Sequence, residues 1–245
     1  MTTCITLDES YLPYDDIRLF LTDKFREIRS THRLRTYISP EWPLPNVLNQ
    51  LVRKSSGQFI YPSTVIHYVS SIRHKPTDRL DIVLAIRPPQ KDLPFAELDA
   101  LYTHIFTGVE EIEPVLEILS LLIISSSSSP LLPTIEEFLF LQPGDVELYL
   151  GDLSSLVNIG PAQEIRILHA SLTDFLLDPT RSKEFWINPG SRYTMFARRC
   201  LQLLQRTGKQ DRSSYKILIL IPKKETRKCL YTFFTTLSVI LKMRK

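Results

Sequence analysis

Apolar residues recur at spacings of three and four along most of the chain, and this pattern constrains the fold more than any other feature. The clearest case is 92–108, whose wide apolar face is formed by Phe95, Leu98, Leu101, Tyr102, Ile105 and Phe106. The same helical spacing covers 14–30, 45–55, 59–69, 77–86, 110–124 and 191–206. The 245 residues include 7 Gly against 17 Pro, which is poor material for a turn-rich β fold. We therefore predict a mainly α protein.

Polar residues at the expected helix starts predict where several helices begin. Asp92 is placed to cap the helix of 92–108, with Pro94 in its first turn. Thr77 or Asp78 is placed to cap the helix of 77–86. Thr134 and Glu137 have the spacing of a capping box. Asp145 is expected to cap a helix that continues to residue 157.

The periodicity changes near residue 156 and predicts a β-hairpin. Segments 156–159 and 164–168 read as strands, joined by a turn at 160–163. The second strand leads into a helix at 171–177, with His169 at the junction and a capping box expected from Ser171 and Asp174. Helix, turn, helix and hairpin is the layout of a winged helix. The predicted architecture is thus a helical bundle followed by a small winged-helix domain with a short β-hairpin.

The net charge of +3 conceals a strongly basic C-terminal segment. From residue 206 onward the chain has eleven Lys or Arg residues and two acidic ones, so this tail carries about +9 and the rest is mildly acidic. The tail either stays unstructured or attracts RNA or anionic lipid. Its apolar stretch, 229–243, is shorter than the roughly 20 residues of a membrane-spanning helix, although it could lie on a membrane surface.

The residue types that carry catalysis or bind metals do not occur in recognisable patterns. No P-loop, dinucleotide-binding, nucleophile-elbow or zinc-protease motif is present, and the three Cys form no CxxC pair. None of the five His lies at a metal-ligand spacing. We therefore predict no catalytic residue and no metal ligand. The sparse cysteines favour a reducing compartment, so we expect a cytoplasmic protein.

His169 is the one polar residue for which two interpretations remain open. It lies between Leu168 and Ala170 at the end of an apolar strand. It is either hydrogen-bonded within the fold or available to contact an anion, since histidine can donate to phosphate and gains charge near neutral pH.

Several segments resemble, in order, the C-terminal part of the NACHT module of fungal STAND proteins, which are relatives of NOD-like receptors. The segment LHASLTDFLLDPTRSKEFWI (168–187) is similar to the winged-helix segment of that family. The other similar segments are DIRLFLTDKFREIR (16–29), EWP (41–43), LVRKSSGQFIYPSTVIHYV (51–69), PTDRLDIVL (76–84), LPFAELDALYTHI (93–105), LQPGDVELYLGDLSSL (141–156) and ARRCLQLL (197–204). The resemblance covers roughly residues 8–206.

The resemblance implies a domain order and two nucleotide-contacting residues. It divides the chain into the end of an NTPase domain (1–33), a helical domain (41–108), a winged-helix-like domain (110–190), a following helix (191–206) and the basic tail (207–245). In such proteins ADP lies between the NTPase core, the helical domain and the winged helix, and a winged-helix histidine contacts its phosphate. The matching residue is His169. The helical domain covers the adenine near 58–61, which implicates Tyr61. The family usually has Ala where this chain has Pro62.

The family segments that this chain lacks determine which activity we expect. The family's P-loop, Walker B strand and sensor strand precede the matched region and are absent from this chain, so we expect no NTPase activity from it alone. We expect a truncated, non-catalytic regulatory fragment that acts through protein contacts, with a NACHT-family NTPase core or a second copy as partner. ADP or ATP is expected only if the missing core is supplied.

Two alternatives stay open at this point. One is an ADP- or ATP-binding switch completed upstream or in trans by a P-loop NTPase. The other is nucleic-acid binding through the winged helix. Its recognition helix would be 145–157, which carries Asp145, Glu147 and Asp152 and no Lys or Arg. A helix that faces phosphates is expected to be basic, so specific nucleic-acid binding is disfavoured.

Overall fold

The computed structural model describes residues 13–88, 95–125 and 130–207, except for the side chains of 201 and 204–207. Within these ranges the protein is mainly helical, with eleven α-helices and one two-stranded antiparallel sheet. The contacts divide the chain into two compact units. The first runs to Ile105 and includes Ser154–Leu156, and the second comprises Phe106–Leu153 and the chain from Val157 onward. The predicted roles of Asp92 and Pro94 and the structure of the basic tail from residue 208 lie outside the described residues.

The first unit is built from five helices, in good agreement with the predicted periodicity. Their bounds are α1 Pro13–Thr31, α2 Pro45–Lys54, α3 Ile60–Val69, α4 Pro76–Ala85 and α5 Ala96–Thr107, whose last two residues are assigned to the second unit. The buried stripe of α1 follows from its three- and four-residue spacing and consists of Ile17, Leu21, Phe25 and Ile28. This stripe lets α1 pack on α2 and α3. Pro62 is accommodated as the third residue of α3, where no intrahelical N–H bond is lost.

The turn after α2 ends that helix as predicted and places the segment that follows. Ser56 and Gly57 both have left-handed backbone angles, with φ of 49° and 77°. The Gln58 amide donates to the Ser55 carbonyl over 2.8 Å and closes the turn. A Cβ at residue 57 would lie 3.5 Å from Pro13 Cγ, an ordinary contact, so the demand for Gly comes from φ and not from crowding.

The second unit contains the remaining elements. These are α6 Ile112–Ile124, α7 Leu132–Leu139, α8 Asp145–Leu150, β1 Val157–Ile159, β2 Ile165–Ile167, α9 Ala170–Leu177, α10 Pro179–Ser182 and α11 Pro189–Thr207. The predicted hairpin is confirmed: β1 and β2 are antiparallel, with Val157 opposite Ile167 and Ile159 opposite Ile165. Helix α6 is a core helix, with most of its side chains buried. In the described part of the chain, no helix is both long and apolar enough to span a membrane.

The predicted side-chain caps are wrong in four places, because proline or the preceding backbone sets the helix start instead. Helix α7 begins at Leu132 with Pro133 in its first turn, which leaves Thr134 inside the helix. Helix α4 likewise begins at Pro76, with Thr77 and Asp78 inside it. Proline has the backbone angle of a first helical turn and lacks the N–H that would otherwise be unpaired there.

The other two corrected starts are those of α8 and α9. Asp145 is the first residue of α8, and its carboxylate accepts a hydrogen bond from the Gln142 amide over 2.7 Å, which stabilises the turn before the helix. His169 occupies the N-cap position of α9 without a side-chain cap, so Ser171 lies inside that helix.

Two large apolar residues within the predicted helices are exposed. Phe95 precedes α5 in a left-handed conformation and is 41% exposed. Leu148 of α8 is 71% exposed, and α8 ends at Leu150, where a single 3₁₀ turn over Gly151–Leu153 follows. The predicted helix to residue 157 is therefore wrong. Residues 154–156, at the end of the predicted helix, instead connect the 3₁₀ turn to β1.

Candidate functional site

The junction that carries His169 lies in the second unit, between the end of β2 and the start of α9. Its backbone is extended (φ −140°, ψ 131°), and its side chain is half-buried. The His169 carbonyl accepts a hydrogen bond from the Leu172 amide over 3.1 Å, which starts α9. The first turn of α9 contains no acidic residue, and the positive end of the helix dipole lies there. The predicted strand-to-helix position of His169 is confirmed.

Aromatic packing holds α9, and with it the junction, against the second unit. Phe175 stacks on Phe106 with ring centroids 6.4 Å apart and an interplanar angle of 8°. Phe185 packs on the same Phe106 ring at 5.4 Å. The Ile187 amide donates to the Leu176 carbonyl over 2.9 Å, which ties the end of this segment back to α9. His169 is thus presented by a packed scaffold and not by a long loop.

Asp178 ends α9 and starts α10. Its Oδ1 accepts hydrogen bonds from the Thr180 hydroxyl at 2.7 Å and from the Thr180 amide at 2.8 Å. These bonds, with a smaller contribution from Arg181, lower the pKa of the Asp178 carboxyl. Asp178 is therefore both the residue that follows α9 and the N-cap of α10.

The second residue singled out from the sequence, Tyr61, lies in the first unit and is 3% exposed. Burial, assisted by the charge of Glu97, raises the pKa of the Tyr61 hydroxyl far above its ordinary value. The exposed aromatic residue of segment 58–61 is instead Phe59, at 40% exposure. Within this segment, Phe59 is therefore more accessible to an external ligand than Tyr61 is.

Phe59 belongs to a small, partly exposed group of aromatic residues, here called the aromatic patch, which consists of the Phe20–Phe59 pair and of Tyr14 beside the preceding turn. The Phe20 and Phe59 rings meet edge to face at 5.9 Å. Tyr14 lies beside the turn at Gly57, with its Cζ 3.9 Å from the position of a Cβ there. This patch was not predicted, because its residues fall outside the buried stripes of the helices and their proximity depends on how α1 packs against the turn before α3.

A buried cation in the first unit was also not predicted. Lys54 Nζ lies 2.6 Å from Glu97 Oε2 and 2.9 Å from the Ile86 carbonyl oxygen. Only 9% of its side chain is exposed. The three residues are far apart in sequence, so no local motif could reveal the cluster. It fixes the end of α2 near the residues that follow α4 and is a structural ion pair.

The two residues that the resemblance singled out lie in different units: Tyr61 belongs to the first unit and His169 to the second. No group of three or more His, Cys, Asp or Glu residues within the described ranges could hold a metal ion. Comparisons with protein-family models, curated proteins and solved structures found no match to this chain. The family resemblance therefore rests on the sequence segments quoted above.

Proposed function

We propose that this chain is a non-catalytic regulatory part of a NACHT-type STAND signalling protein and acts through protein–protein contacts. The observation that carries the proposal is the junction at His169, because it presents a half-buried histidine beside a helix start that lacks acidic residues. A histidine that can donate a hydrogen bond, placed at the positive end of a helix dipole, is suited to a phosphate group. In the proposed assembly a P-loop NTPase core supplies the nucleotide, and His169 contacts its phosphate. ADP or ATP is thus a ligand of the assembly.

The topology of the second unit supports a winged-helix domain in this assembly. Helices α7 and α8 pack together and are followed directly by the hairpin. Residue Leu131, between α6 and α7, forms an antiparallel bridge with Glu164 at the edge of β2. The Leu132 amide donates to the Gln163 carbonyl over 2.8 Å and extends this pairing. A short strand between the first two helices, paired with the second hairpin strand, is the arrangement expected of a winged helix.

The aromatic patch on the first unit supports a protein partner. Tyr14 and Phe59 are large apolar side chains, each at least two-fifths exposed. Aromatic residues of this kind are enriched in protein interfaces. Under the proposed function, the patch lies where α1 and the helical domain meet the NTPase core. Nucleic-acid binding gains no support, because the exposed helix α8 begins with Asp145 and Glu147.

The proposal is tested by asking whether the chain slows nucleotide release from a P-loop core. The purified chain is mixed with the NTPase core of a fungal NACHT protein loaded with fluorescent ADP, and ADP release is followed after dilution into unlabelled ADP. We expect wild type to slow release and His169→Ala to remove most of that effect, since one charge-assisted hydrogen bond corresponds to about 10-fold or more. Arg166→Ala, at an exposed position of β2, is the matched control and should behave as wild type.

The protein contact is tested separately by measuring how tightly the chain binds the same core. Phe59→Ser should weaken that binding without changing the fold, because two-fifths of the Phe59 surface is exposed and available to a partner. His169→Ala should affect ADP release more than core binding. Equal ADP release with and without the chain, despite measurable core binding, would refute the nucleotide contact. Absence of core binding by a folded chain would refute the regulatory role.

A further inference from the structure

Two loops of the first unit are joined at the C-terminal ends of α1 and α3. One is 32–39, directly after α1, and the other is 70–75, between α3 and α4. His32 forms the junction, because its Nδ1 accepts a hydrogen bond from the Leu34 amide over 3.1 Å and its Nε2 lies 3.3 Å from the Ser71 carbonyl oxygen. With Nδ1 accepting, the ring proton is on Nε2, which donates to that carbonyl. The buried imidazole thus holds the two loops together.

The surface of these loops, here called the Ile72 patch, combines exposed cations with exposed apolar groups. Its members are Arg33, Arg35, Tyr37, Ile72, Arg73 and Lys75. Ile72 is 67% exposed in the loop after α3, and Tyr37 is 79% exposed in the 3₁₀ turn after α1. A single exposed apolar residue is ordinary on a protein surface. Here, however, both loops place one directly among their cations.

The positive charge of the patch is not neutralised locally. Residues 28–40 and 59–77 contain no Asp or Glu. Within the ranges that the structure describes, no carboxylate lies within 4.0 Å of Arg33, Arg35 or Lys75. Cations that follow a helix C-terminus offset the helix dipole, which accounts for their positions but not for the exposed isoleucine between them. The charge remains available to an anionic partner.

The combination of charge and apolar surface selects the kind of partner. A nucleic acid would pair its phosphates with the cations, but an isoleucine neither stacks on a base nor forms a hydrogen bond with one. The surface of an anionic bilayer matches both parts. Its headgroups attract Lys and Arg, its acyl boundary accepts an aliphatic side chain, and tyrosine is favoured at headgroup level.

We propose that the Ile72 patch binds the surface of a membrane that contains anionic phospholipids. The four cations contact the headgroups, and Ile72 inserts into the boundary between headgroups and acyl chains. The patch lies wholly within the first unit and does not depend on the nucleotide contact proposed for His169. It gives the chain a membrane-surface contact in addition to its protein contacts.

The experiment places a reporter in the patch, because the basic tail from residue 207 onward could bind anionic vesicles by itself. In the full chain with Cys4→Ser and Cys229→Ser, the variant Ile72→Cys is labelled with an environment-sensitive fluorophore, while Cys200 is buried. The protein is titrated with vesicles of phosphatidylcholine alone or with about one third phosphatidylserine. We expect a saturable blue shift at position 72 with phosphatidylserine and at least about tenfold weaker binding without it.

A second probe position distinguishes contact at the patch from binding through the tail. Leu19→Cys is the matched control, because Leu19 is 62% exposed, and it precedes the end of α1 by twelve residues, or about 18 Å of helix. A fluorophore at this position should keep its emission maximum in water when phosphatidylserine vesicles are added. Sedimentation with the vesicles verifies that both labelled proteins are bound.

Removal of charge tests whether the cations of the patch are responsible. The triple variant Arg33→Gln, Arg35→Gln and Lys75→Gln should require at least about tenfold more lipid for the shift at position 72, since each cation near an anionic surface contributes roughly fivefold. The matched control removes three exposed cations from other parts of α1 and α2, by Arg18→Gln, Lys24→Gln and Arg53→Gln. It should respond as the parent protein. Far-UV circular dichroism verifies that each variant is folded.

Four results would overturn the proposal. They are sedimentation with phosphatidylserine vesicles without a shift at position 72, an equal shift with both vesicle types, an unchanged response of the folded triple variant, and a shift at position 72 with single-stranded RNA but not with vesicles. The first result would assign membrane binding to the tail, and the last would assign the patch to nucleic acid.

Discussion

Glu117 of α6 and Arg199 of α11 form an ion pair with 2.7 Å between Oε2 and Nη2, although 82 residues separate them. The same guanidinium donates from Nη1 to the Leu139 carbonyl over 2.7 Å. Arg199 therefore links α6, α7 and α11 within the second unit. Less than a fifth of either side chain is exposed, so the pair is only weakly screened by solvent.

Arg199→Met is expected to lower the free energy of unfolding by about 1–3 kcal/mol, because it leaves Glu117 and the Leu139 carbonyl without their main donor. Arg192, whose Nη1 lies 4.0 Å from Glu117, limits the loss. Urea unfolding monitored by circular dichroism measures the change. Arg26→Met removes an exposed pair with Asp23 and should change stability by no more than about 0.5 kcal/mol. Equal effects of the two substitutions would contradict the structural role of Arg199.

Lys54→Met should destabilise the first unit by about 1–3 kcal/mol, because Glu97 and the Ile86 carbonyl lose a buried donor while the methionine keeps the apolar stem. Lys24→Met is the matched control, since Lys24 pairs with Glu27 on the surface of α1 and is 43% exposed. The difference between the two variants is measured by urea unfolding at neutral pH. A Lys54→Met variant as stable as the Lys24→Met variant would show that the Lys54 pair is not stabilising.

His104 predicts a pH dependence of stability. Burial, with a smaller contribution from Arg79, lowers the pKa of His104, and its Nε2 lies 3.0 Å from the Tyr68 hydroxyl, which can donate to a neutral imidazole. The unfolded chain takes up a proton near pH 6.5, whereas the folded chain does so only at lower pH. The free energy of unfolding should therefore fall as the pH drops below about 6.5 and level off below the folded-state pKa.

The variant His104→Gln isolates this contribution, since glutamine keeps an acceptor for Tyr68 and does not titrate. Its free energy of unfolding should fall less than that of wild type between pH 7.5 and pH 5. His67→Gln, at an exposed position of α3, should follow the wild-type curve. Parallel curves for wild type and His104→Gln would mean that His104 is not responsible for the pH dependence.

Cys200 is a buried free thiol on α11, and burial raises its pKa to about 11. Replacing Cys4 and Cys229 with serine leaves it as the only thiol of the chain. At pH 8 we expect a disulfide reagent such as DTNB to label it about 100-fold more slowly than an unperturbed cysteine, because only the thiolate reacts. Urea should restore the ordinary rate. Fast labelling of the folded protein would show that the face of α11 that carries Cys200 opens.

Most helices could be predicted from the sequence because their buried faces repeat with the helical period. The stripe of α1 and the apolar run of α6 are long enough for this signal to exceed local propensity. Helix starts were predicted less well. Thr134 and Ser171 are residues that favour N-caps, yet Pro133 and the extended backbone of His169 set those starts earlier. The short helix α8 contained too few residues for periodicity to predict where it ends.

The candidate-site residues also differ in whether a local sequence pattern could predict them. His169 was identified because a strand pattern changes to a helix pattern within a few residues, which is a local signal. The exposure of Phe59 and the burial of Tyr61 were not evident, since both are aromatic and only two positions apart. Arg29 and Trp42 line one groove of the first unit, which was not predicted because the chain between them must turn before both can lie there.

Local order along the chain thus follows from the amino-acid sequence: helix content, the hairpin and the position of His169 arise from the period of apolar residues and from turn residues that act over a few positions. The pairings of Lys54 with Glu97 and Arg199 with Glu117 and the aromatic patch exist only in the folded chain. Their partners are brought together by the packing of buried faces. A charge or aromatic ring on the opposite face contributes nothing to the periodicity, and its neighbours are fixed only once the helices have packed.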